Sequence, residues 1–486
     1  LYYLINYFKI NENYKIKCFY NFYVIKHGLK NQFFKYIFIK TMFKLSLGIS
    51  KYYKFLKCEE IVVPIFDEIK YSNQIKKNYT KVKNKNKLIV FKLNGILIGD
   101  LIYDCYLTRF SEPTINIKSK NFRDFFKEFN LLFYFWFEYF SKNKIHTIVG
   151  PHLVYSYGLP IRIAKKFKCN SILAKVHSIR KLKKINETEA EHMIVKKINF
   201  SKTQNKENRS WARQELNNAL IKSNLKKYTT LTIPSFSNLK SKKIIKNDNK
   251  IKILVLPHDF YDAPHVFGNH KFFSDYYEWL KYLIKISNKV NYKWYVKTHP
   301  NLISILGRKQ KSSREQIYDL FKNKKNFTIL PSNYSHKQII KEKIDCMITC
   351  HGNAAHEYSY LGVPTIACSN VSPYKNFDFC IFLKSKKDLD YKIQNLKKII
   401  KKKKIDKIKI LDYFFMEFNY IETESWLFDF FESSKFVGGW EKRNSSLNIF
   451  DFWIKNFEKI DKKLINKKLN NFFKSKDKFL NKSHYK

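Results

Sequence analysis

The chain has 486 residues and a formal net charge of +52, and 44% of its residues are hydrophobic. This length allows roughly two to three domains. So positive a charge usually indicates nucleic acid or an anionic membrane as partner. Only nine of the 93 basic residues are Arg, the residue that reads bases and grips phosphates in a fork. The excess of Lys accompanies excess Asn, Ile, Phe and Tyr, all encoded by A/T-rich codons. The composition therefore argues against a nucleic-acid partner and leaves an anionic membrane surface open.

The eight cysteines form no CxxC pair, and several lie in apolar runs. This is typical of buried thiols in a reducing compartment and not of a disulfide framework or a zinc site. The chain begins with Leu1, as a fragment or a chain with an unusual start codon would. No signal peptide and no membrane-spanning run of ~20 apolar residues is expected. We predict a cytoplasmic protein, with peripheral contact to the inner face of the cell membrane as an alternative.

Residues 1–235 are expected to form a first α/β domain. Within it, 33–47 is an amphipathic helix, expected to pack on the protein, with a membrane surface as the alternative. The Lys- and Asn-rich segment 70–87 is expected to be a loop. An apolar run from 88 then turns into a helix that carries Asp100 and Asp104 one turn apart, on the same face.

Asp100 fits two roles. It is placed like a helix N-cap, and it is also placed like a carboxylate at the end of a strand facing a cleft, where it could act as a general base. We take Asp100, with Asp104 second, as the candidate base. This assignment rests on position alone.

A βαβ unit follows, with strands over 146–149 and 171–176 around a helix that carries Arg162. His152 and His177 lie at the carboxyl ends of these strands, where open α/β sheets bind ligands. We take Arg162 and the two His as candidates for the acceptor side of a site. The alternative is a structural role, which is more common for a lone His.

A polar, charged linker over 236–250 precedes a second α/β domain, 251–400. Its strands are predicted at 251–256, 292–297, 327–330, 344–350 and 363–368, with helices between them. Such alternation predicts a parallel, doubly wound sheet. Residues 401–486 are expected to be helices and a basic tail.

Three loops of this second domain follow strands and therefore share one edge of the sheet. Each carries a His, together with hydroxyl, amide and ammonium groups suited to an anion such as phosphate. The candidate residues are His258, Lys297, Thr298, His299, Pro300, Thr349, His351, Gly352 and Asn353. The His could alternatively indicate a metal, but neither helical HxxxH spacing nor a shared carboxylate supports one.

The last of these loops lies in the segment 344–374, which predicts strand, turn, helix and strand. Gly352 permits a sharp turn and a close approach to a ligand. The helix over 354–361 begins beside the loop, and Gly362 is placed to end it. Glu357 in this helix would reach ribose hydroxyls, or would simply offset the helix dipole.

Two motifs in this region resemble a known group of enzymes. Lys297-Thr298-His299-Pro300 resembles the HP motif of bacterial transferases that use CMP-activated acidic sugars, such as polysialyltransferases and capsule Kdo transferases. His351-Gly352-Asn353 to Glu357, followed by Gly362-Val363-Pro364, resembles the HG(S/T)xxxE…GxP element of GT-B proteins of surface-polysaccharide synthesis. Asn353 departs from the usual Ser or Thr, and the acidic motif that carries the base in polysialyltransferases has no match here.

The resemblance implies an α/β, GT-B-like fold of two facing Rossmann-like domains with parallel sheets, and C-terminal helices packing back on the first domain. It also implies a nucleotide-sugar donor on the second domain and no metal or other cofactor. By this resemblance His299 contacts the donor phosphate and Glu357 the ribose, and Thr349 lies near phosphate.

These patterns together predict a metal-independent glycosyltransferase that moves a sugar, preferably from a CMP-sugar, onto a surface-polysaccharide or glycolipid acceptor. One alternative is a nucleotide-sugar 2-epimerase of the same fold. The other is a basic, non-catalytic protein that binds a polyanion.

Overall fold

The computed structural model describes residues 2–12, 14–20, 32–174, 179–188, 204–221, 236, 241–246, 248–265, 272–299, 311–369, 372–420 and 462–485. Its helices are α1 (Tyr2–Glu12), α2 (Gln32–Lys44), α3 (Ile49–Phe55), α4 (Glu68–Thr80), α5 (Lys85–Ile89), α6 (Gly99–Phe110), α7 (Lys120–Lys142), α8 (Gly158–Lys166), α9 (Lys206–Leu220), α10 (Tyr276–Ser287), α11 (Ser313–Phe321), α12 (His336–Lys341), α13 (Ala354–Tyr360), α14 (Lys386–Gln394), α15 (Leu396–Lys402), α16 (Lys407–Phe415) and α17 (Lys462–Lys474).

The strands are β1 (Lys17–Phe19), β2 (Glu60–Val62), β3 (Lys92–Leu93), β4 (Ile96–Leu97), β5 (Thr147–Gly150), β6 (Asn170–Ala174), β7 (Ile179–Lys181), β8 (Lys252–Val255), β9 (Lys293–Lys297), β10 (Phe327–Leu330), β11 (Cys346–Thr349), β12 (Thr365–Ala367) and β13 (Ile381–Phe382). Helices and strands thus alternate along the second half of the chain, as the sequence predicts.

By its contacts the chain forms two compact units. Unit 1 comprises Leu1–Cys105, Asn116–Glu187 and Tyr420–Lys486, and unit 2 comprises Tyr106–Ile115 and Thr188–Asn419. The units change at 187/188, whereas composition places the linker at 236–250. The predicted domain boundaries and the facing arrangement of two domains stay predictions.

Unit 2 is built on a six-stranded sheet in the order β10-β9-β8-β11-β12-β13. Each pairing is parallel; Ile253, for example, lies opposite Trp294 on one side and Cys346 on the other. Numbered from β8, this order is 3-2-1-4-5-6, the order of doubly wound, Rossmann-type nucleotide-binding sheets. The predicted parallel sheet is therefore present in this unit.

Continuous apolar runs make these strands, because both faces of the sheet are covered. Alternate residues such as Val255, Val296 and Ile348 point into a core shared with α10, α11 and α14. The residues between them, such as Leu254 and Met347, are also fully buried. A sheet buried on both faces can offer ligands only its edges and the ends of its strands.

Unit 1 departs from the fully parallel expectation. In its three-stranded sheet β5 and β6 are parallel, but β6 and β7 are antiparallel. Its second departure is a β3–β4 hairpin, turned by Asn94 and Gly95, both at positive φ. Asn-Gly favours this two-residue turn because both residues tolerate a left-handed backbone.

The prediction of a loop over 70–87 is wrong, because helix α4 covers most of this segment. Asp67 caps α4 by accepting a hydrogen bond from the Lys70 N–H. One narrow stripe of the helix lies on α7: Tyr71 stacks on Tyr134, with ring centroids 4.2 Å apart. Because only a narrow stripe of the helix is buried, most of its residues are polar, and the sequence resembles that of a loop.

The C-terminal helix α17 belongs to unit 1. Its Leu469 and Phe472 share a core with Leu4 of α1. Lys181 of β7 donates hydrogen bonds to the carbonyls of Phe472 and Ser475 at the end of α17 (2.6 and 2.8 Å). Among the helices described above, none combines the length and apolarity needed to cross a membrane.

Candidate functional site

The order of strands in unit 2 identifies where its sheet can hold a ligand. The chain passes from β8 to β9 on one side and from β11 to β12 on the other. The connections after β8 and β11 therefore diverge and leave a crevice at the carboxyl ends of these neighbouring strands. His258 follows β8 and His351 follows β11. The two loops meet at this crevice.

His258 and His351 form a stacked pair there, with ring centroids 4.3 Å apart and planes inclined by 14°. The His351 backbone N–H donates to Nε2 of His258 (3.3 Å). The hydroxyl oxygen of Tyr276, at the start of α10, lies 2.7 Å from Nε2 of His351. Burial lowers the pKa of His351 to about 4. At neutral pH His351 is therefore uncharged, and the pair can stack without repulsion.

Thr349 braces the same loop. Its hydroxyl oxygen lies 3.1 Å from Nε2 of His258, and 3.1 Å from each of the carbonyl oxygens of Leu256 and His351. The side chain is buried and faces protein atoms. Its predicted contact with phosphate stays a prediction.

Gly352 makes the turn from β11 into α13 with φ at +107°. A Cβ on Gly352 would lie 3.5 Å from Cε1 of His258, so the backbone passes close to that ring. Asn353 is at the N-cap position of α13 and has a helical backbone conformation, but its side chain makes no capping hydrogen bond. The helix ends at Tyr360, and Gly362 follows with φ at +90°.

A cluster of positive charge lies at the next strand end. Lys297 is the last residue of β9, and its side chain is only 2% exposed. Within the described part of the chain its ammonium has neither a hydrogen bond nor an ion pair. Desolvation, with the charge of Arg314 second, lowers the pKa of Lys297 to about 8. A buried cation with a lowered pKa at a strand end is typical of functional sites and favours an anion as the ligand.

His299 and Arg314 flank this ammonium. Arg314, in the first turn of α11, donates to the His299 carbonyl at 3.4 Å. Desolvation and the charges of Lys297 and Arg314 lower the pKa of His299, whose side chain remains exposed. A neutral, exposed imidazole beside two cations can donate a hydrogen bond to an anion held there. Thr298 between them is buried.

Glu357 lies in the first turn of α13. Its side chain is half-buried, and among the described residues no side chain pairs with it. Desolvation raises its pKa to about 7. Its predicted contact with ribose stays a prediction, and so does the alternative that it offsets the helix dipole.

The candidates of unit 1 lie in different surroundings. Both oxygens of Asp100 accept hydrogen bonds from Arg162, at 2.7 and 2.8 Å, and Arg162 also donates to the Leu97 carbonyl. Asp100, Asp104 and Arg162 are all buried. A general base must reach the acceptor hydroxyl, and the buried ion pair gives Asp100 and Arg162 a structural contact that neither predicted role includes; the catalytic and acceptor-side roles of the three residues stay predictions. His152 is half-buried against the Tyr157 ring. His177 and Pro300 lie outside the described residues.

Two residues of the site were not predicted. Tyr276 gave no signal, because it is one of 33 Tyr. Arg314 could have been found: the chain has only nine Arg, and this one follows a Ser-Ser-Arg-Glu helix start. Helices whose first turns point to the same sheet edge supply both residues.

The residues described above include no group of three or more His, Cys, Asp or Glu arranged to hold a metal ion. The polar groups that do gather at this edge of the sheet are of the kind that binds an anion. They are a buried ammonium, a guanidinium, a stacked pair of imidazoles and a carboxyl of raised pKa.

Comparisons with known proteins give only distant likenesses. No protein-family model matches the chain, and no curated protein matches it. KpsC, a beta Kdo 2,4 transferase of Thermosulfurimonas dismutans, is 11% identical with a TM-score of 0.34, over 53% of this chain and 75% of KpsC. UDP-GlcNAc 2-epimerase from Neisseria meningitidis is 12% identical with a TM-score of 0.26, over 82% of this chain and 97% of the epimerase.

The wall teichoic acid polymerase TagF is 14% identical with a TM-score of 0.19, over 65% of this chain and 60% of TagF. These neighbours are a transferase, an epimerase and a polymerase, but at such scores the likeness does not assign a function. What the site can do follows from its own geometry.

Proposed function

We propose that the protein is a glycosyltransferase that moves a sugar from a nucleotide-sugar donor to a saccharide or glycolipid acceptor of surface-polysaccharide assembly. The observation that carries this proposal is Lys297: a buried ammonium, with no counter-charge in the described chain, at the carboxyl edge of a Rossmann-type sheet. A nucleotide phosphate supplies the missing negative charge.

In the proposed reaction an acceptor hydroxyl oxygen attacks the anomeric carbon of the sugar. The bond from that carbon to the phosphate oxygen breaks, and the nucleotide leaves with the electron pair. Lys297 and Arg314 stabilise the charge that develops on the leaving phosphate, and His299 donates a hydrogen bond to it. Because Lys297 is dehydrated in advance, little reorganisation is needed at that moment.

The stacked His258 and His351 would shape the floor of the donor site, and Glu357 would bind ribose or base. At neutral pH a carboxyl with a pKa of about 7 can both donate and accept hydrogen bonds. A CMP-sugar is our first choice of donor, as the resemblance of the HP motif implies. The proposed compartment is the cytoplasm; all eight cysteines are buried and free.

Asp100 is left out of proton transfer, because Arg162 holds both of its oxygens. The acceptor proton would pass to a group that reaches the bound acceptor.

The test is nucleotide binding and sugar transfer by the full chain. CMP, UDP, GDP and dTDP are screened for a rise in melting temperature, since a ligand that binds the native state stabilises it. The matching nucleotide sugar is then incubated with an oligosaccharide acceptor. His299→Ala should lower transfer by at least about tenfold, which is the effect of losing one hydrogen bond to a charged group. His146→Ala, at an exposed His of unit 1, should leave it unchanged.

A screen in which no nucleotide raises the melting temperature would contradict the proposal. Conversion of the free nucleotide sugar without an acceptor would instead identify an epimerase. Normal transfer by His299→Ala would remove that residue from the mechanism and leave the class of enzyme standing.

A further inference from the structure

Helix α2 exposes an apolar face. Its inner side is set by Ile39 and Phe43, which are buried in the core of unit 1. The outer side carries Phe33, Phe34, Ile37 and Phe38, and the two most exposed, Phe34 and Phe38, are 73% and 64% exposed. A helix that is apolar all round is normally buried on all sides. Here only one side is, so the sequence expectation that this helix packs on the protein holds for its inner side alone.

The exposed face extends beyond the helix. The Gln32 side chain bonds in both directions with the Phe66 backbone (2.9 and 3.2 Å), which places the segment before α4 beside the start of α2. Ile65 in that segment and Ile69 in the first turn of α4 are also exposed, the latter by 91%, and exposed Leu45 follows the end of α2. Exposed apolar side chains that gather on one helix, with more of them beside its start, are typical of an interaction surface. We call it the α2 face: Phe33, Phe34, Ile37, Phe38, Leu45, Ile65 and Ile69.

The charge around this face selects its partner. The sequence contains no Asp or Glu from residue 13 to residue 58, and Lys35, Lys40, Lys44 and Lys51 lie in and around α2. The acidic residues nearest the face are partnered: Glu60 pairs with Lys17 and Lys40, Glu68 pairs with Lys127, and Asp67 caps α4. A second copy of a chain with a net charge of +52 would be repelled, whereas an anionic bilayer would be attracted. Exposed Phe with flanking Lys is the composition of helices that lie in the plane of a membrane interface.

We propose that the α2 face docks on anionic phospholipid, with its Phe side chains inserted at the level of the headgroups and its Lys side chains on the lipid phosphates. The α2 face would then hold the protein on the membrane surface. This inference stands independently of the proposed transferase activity.

The first experiment measures co-sedimentation of the full chain with vesicles of phosphatidylglycerol and phosphatidylcholine in equal parts, or of phosphatidylcholine alone. Wild type should bind the mixed vesicles, and binding should weaken as salt rises. The double variant Phe34→Gln, Phe38→Gln should bind about tenfold more weakly or worse, because each Phe loses its transfer out of water. Tyr318→Gln with Tyr391→Gln, at exposed aromatics of unit 2, is the matched control and should bind normally.

A second experiment tests insertion directly. Thr41 lies at the centre of the exposed side of α2, and all eight native cysteines are buried. A polarity-sensitive dye attached through Thr41→Cys should report a less polar environment when mixed vesicles are added, and no change with phosphatidylcholine alone.

Several outcomes would overturn the inference. They are a wild type that binds no vesicles, a Phe double variant that binds as tightly as wild type while melting at the same temperature, and a dye that reports water throughout. A wild-type dimer that the Phe variant splits, without vesicle binding, would assign the face to a second copy of the chain.

Discussion

Substitution of Lys297 distinguishes a ligand-binding role of its buried ammonium from a structural role. Desolvation lowers its pKa from 10.5 to about 8, so the folded protein carries this charge less readily than the unfolded chain does. Lys297→Met removes the charge at similar volume. We expect the variant to lose nucleotide binding while its free energy of unfolding at neutral pH rises by about 1–3 kcal/mol.

The gain in stability should depend on pH in one direction. Below pH 8 Lys297 is protonated in both states, so the full cost of the buried charge is present and the gain is largest. Between pH 8 and 10.5 the folded protein releases the proton first, so the gain shrinks. Urea unfolding of both proteins across this range measures it. A variant less stable than wild type at neutral pH would mean that Lys297 has a counter-charge.

At the scale of the element, the turn between β11 and α13 should matter through its backbone. Gly352 has φ at +107°, and an added Cβ would make only an ordinary contact with His258. Gly352→Ala should therefore cost roughly 1–3 kcal/mol of stability through strain, and should move the His351 N–H away from His258. We expect nucleotide affinity to fall at least about tenfold, since 1.4 kcal/mol is a factor of ten.

Gly362→Ala is the matched control, because Gly362 also has positive φ and its Cβ would enter open space. It lies at the far end of α13. The two variants should lose similar stability in urea unfolding, and only Gly352→Ala should lose binding in titration calorimetry. Equal losses of affinity would show that the turn does not shape the site.

The ion pair that ties α6 to α8 makes a second prediction about elements. Arg162→Met leaves the Asp100 carboxylate buried without a partner and should cost about 3–5 kcal/mol. Asp100→Asn should also destabilise, and the double variant should lose less than the sum of the two. Urea unfolding and transfer by each variant are compared. If Asp100→Asn keeps full stability and loses transfer, Asp100 is the base after all.

The elements differ in how far the sequence predicts them. The strands from β8 to β12 begin and end within two residues of prediction, because runs buried on both faces are continuous in sequence. Asn94-Gly95 is a hairpin signal, but it lies inside the apolar run that begins at residue 88, which the prediction treats as one continuous segment. Helix α4 was missed because its buried stripe is narrow.

The same limit applies to the site. Its loops could be predicted, because parallel strands bring their carboxyl ends to one edge. Tyr276 could not, since it is one of 33 Tyr and enters from the start of α10, whereas Arg314, at the start of α11, was marked only by the rarity of Arg in this chain. The pairing of Asp100 with Arg162 joins residues 62 positions apart, and no local pattern specifies it.

At the scale of the whole molecule, the net charge of +52 makes any anion a weak ligand. Such binding comes from the summed field of many Lys and is screened by salt. A specific nucleotide site differs, because one buried cation would hold the phosphate away from screening ions. The rival interpretation as a basic polyanion-binding protein can therefore be separated from the proposed enzyme by one substitution.

Lys297→Met and Lys285→Met each remove one of the 93 basic residues, and Lys285 is exposed on α10 of the same unit. Both variants should bind heparin as wild type does, with the same loss of affinity as salt rises, because the overall field is almost unchanged. Only Lys297→Met should lose binding of the nucleotide found by the melting screen, measured by titration calorimetry at high salt. If Lys285→Met weakens nucleotide binding equally, or if salt abolishes nucleotide and heparin binding together, the summed charge is the ligand-binding feature and the site at the sheet edge is not.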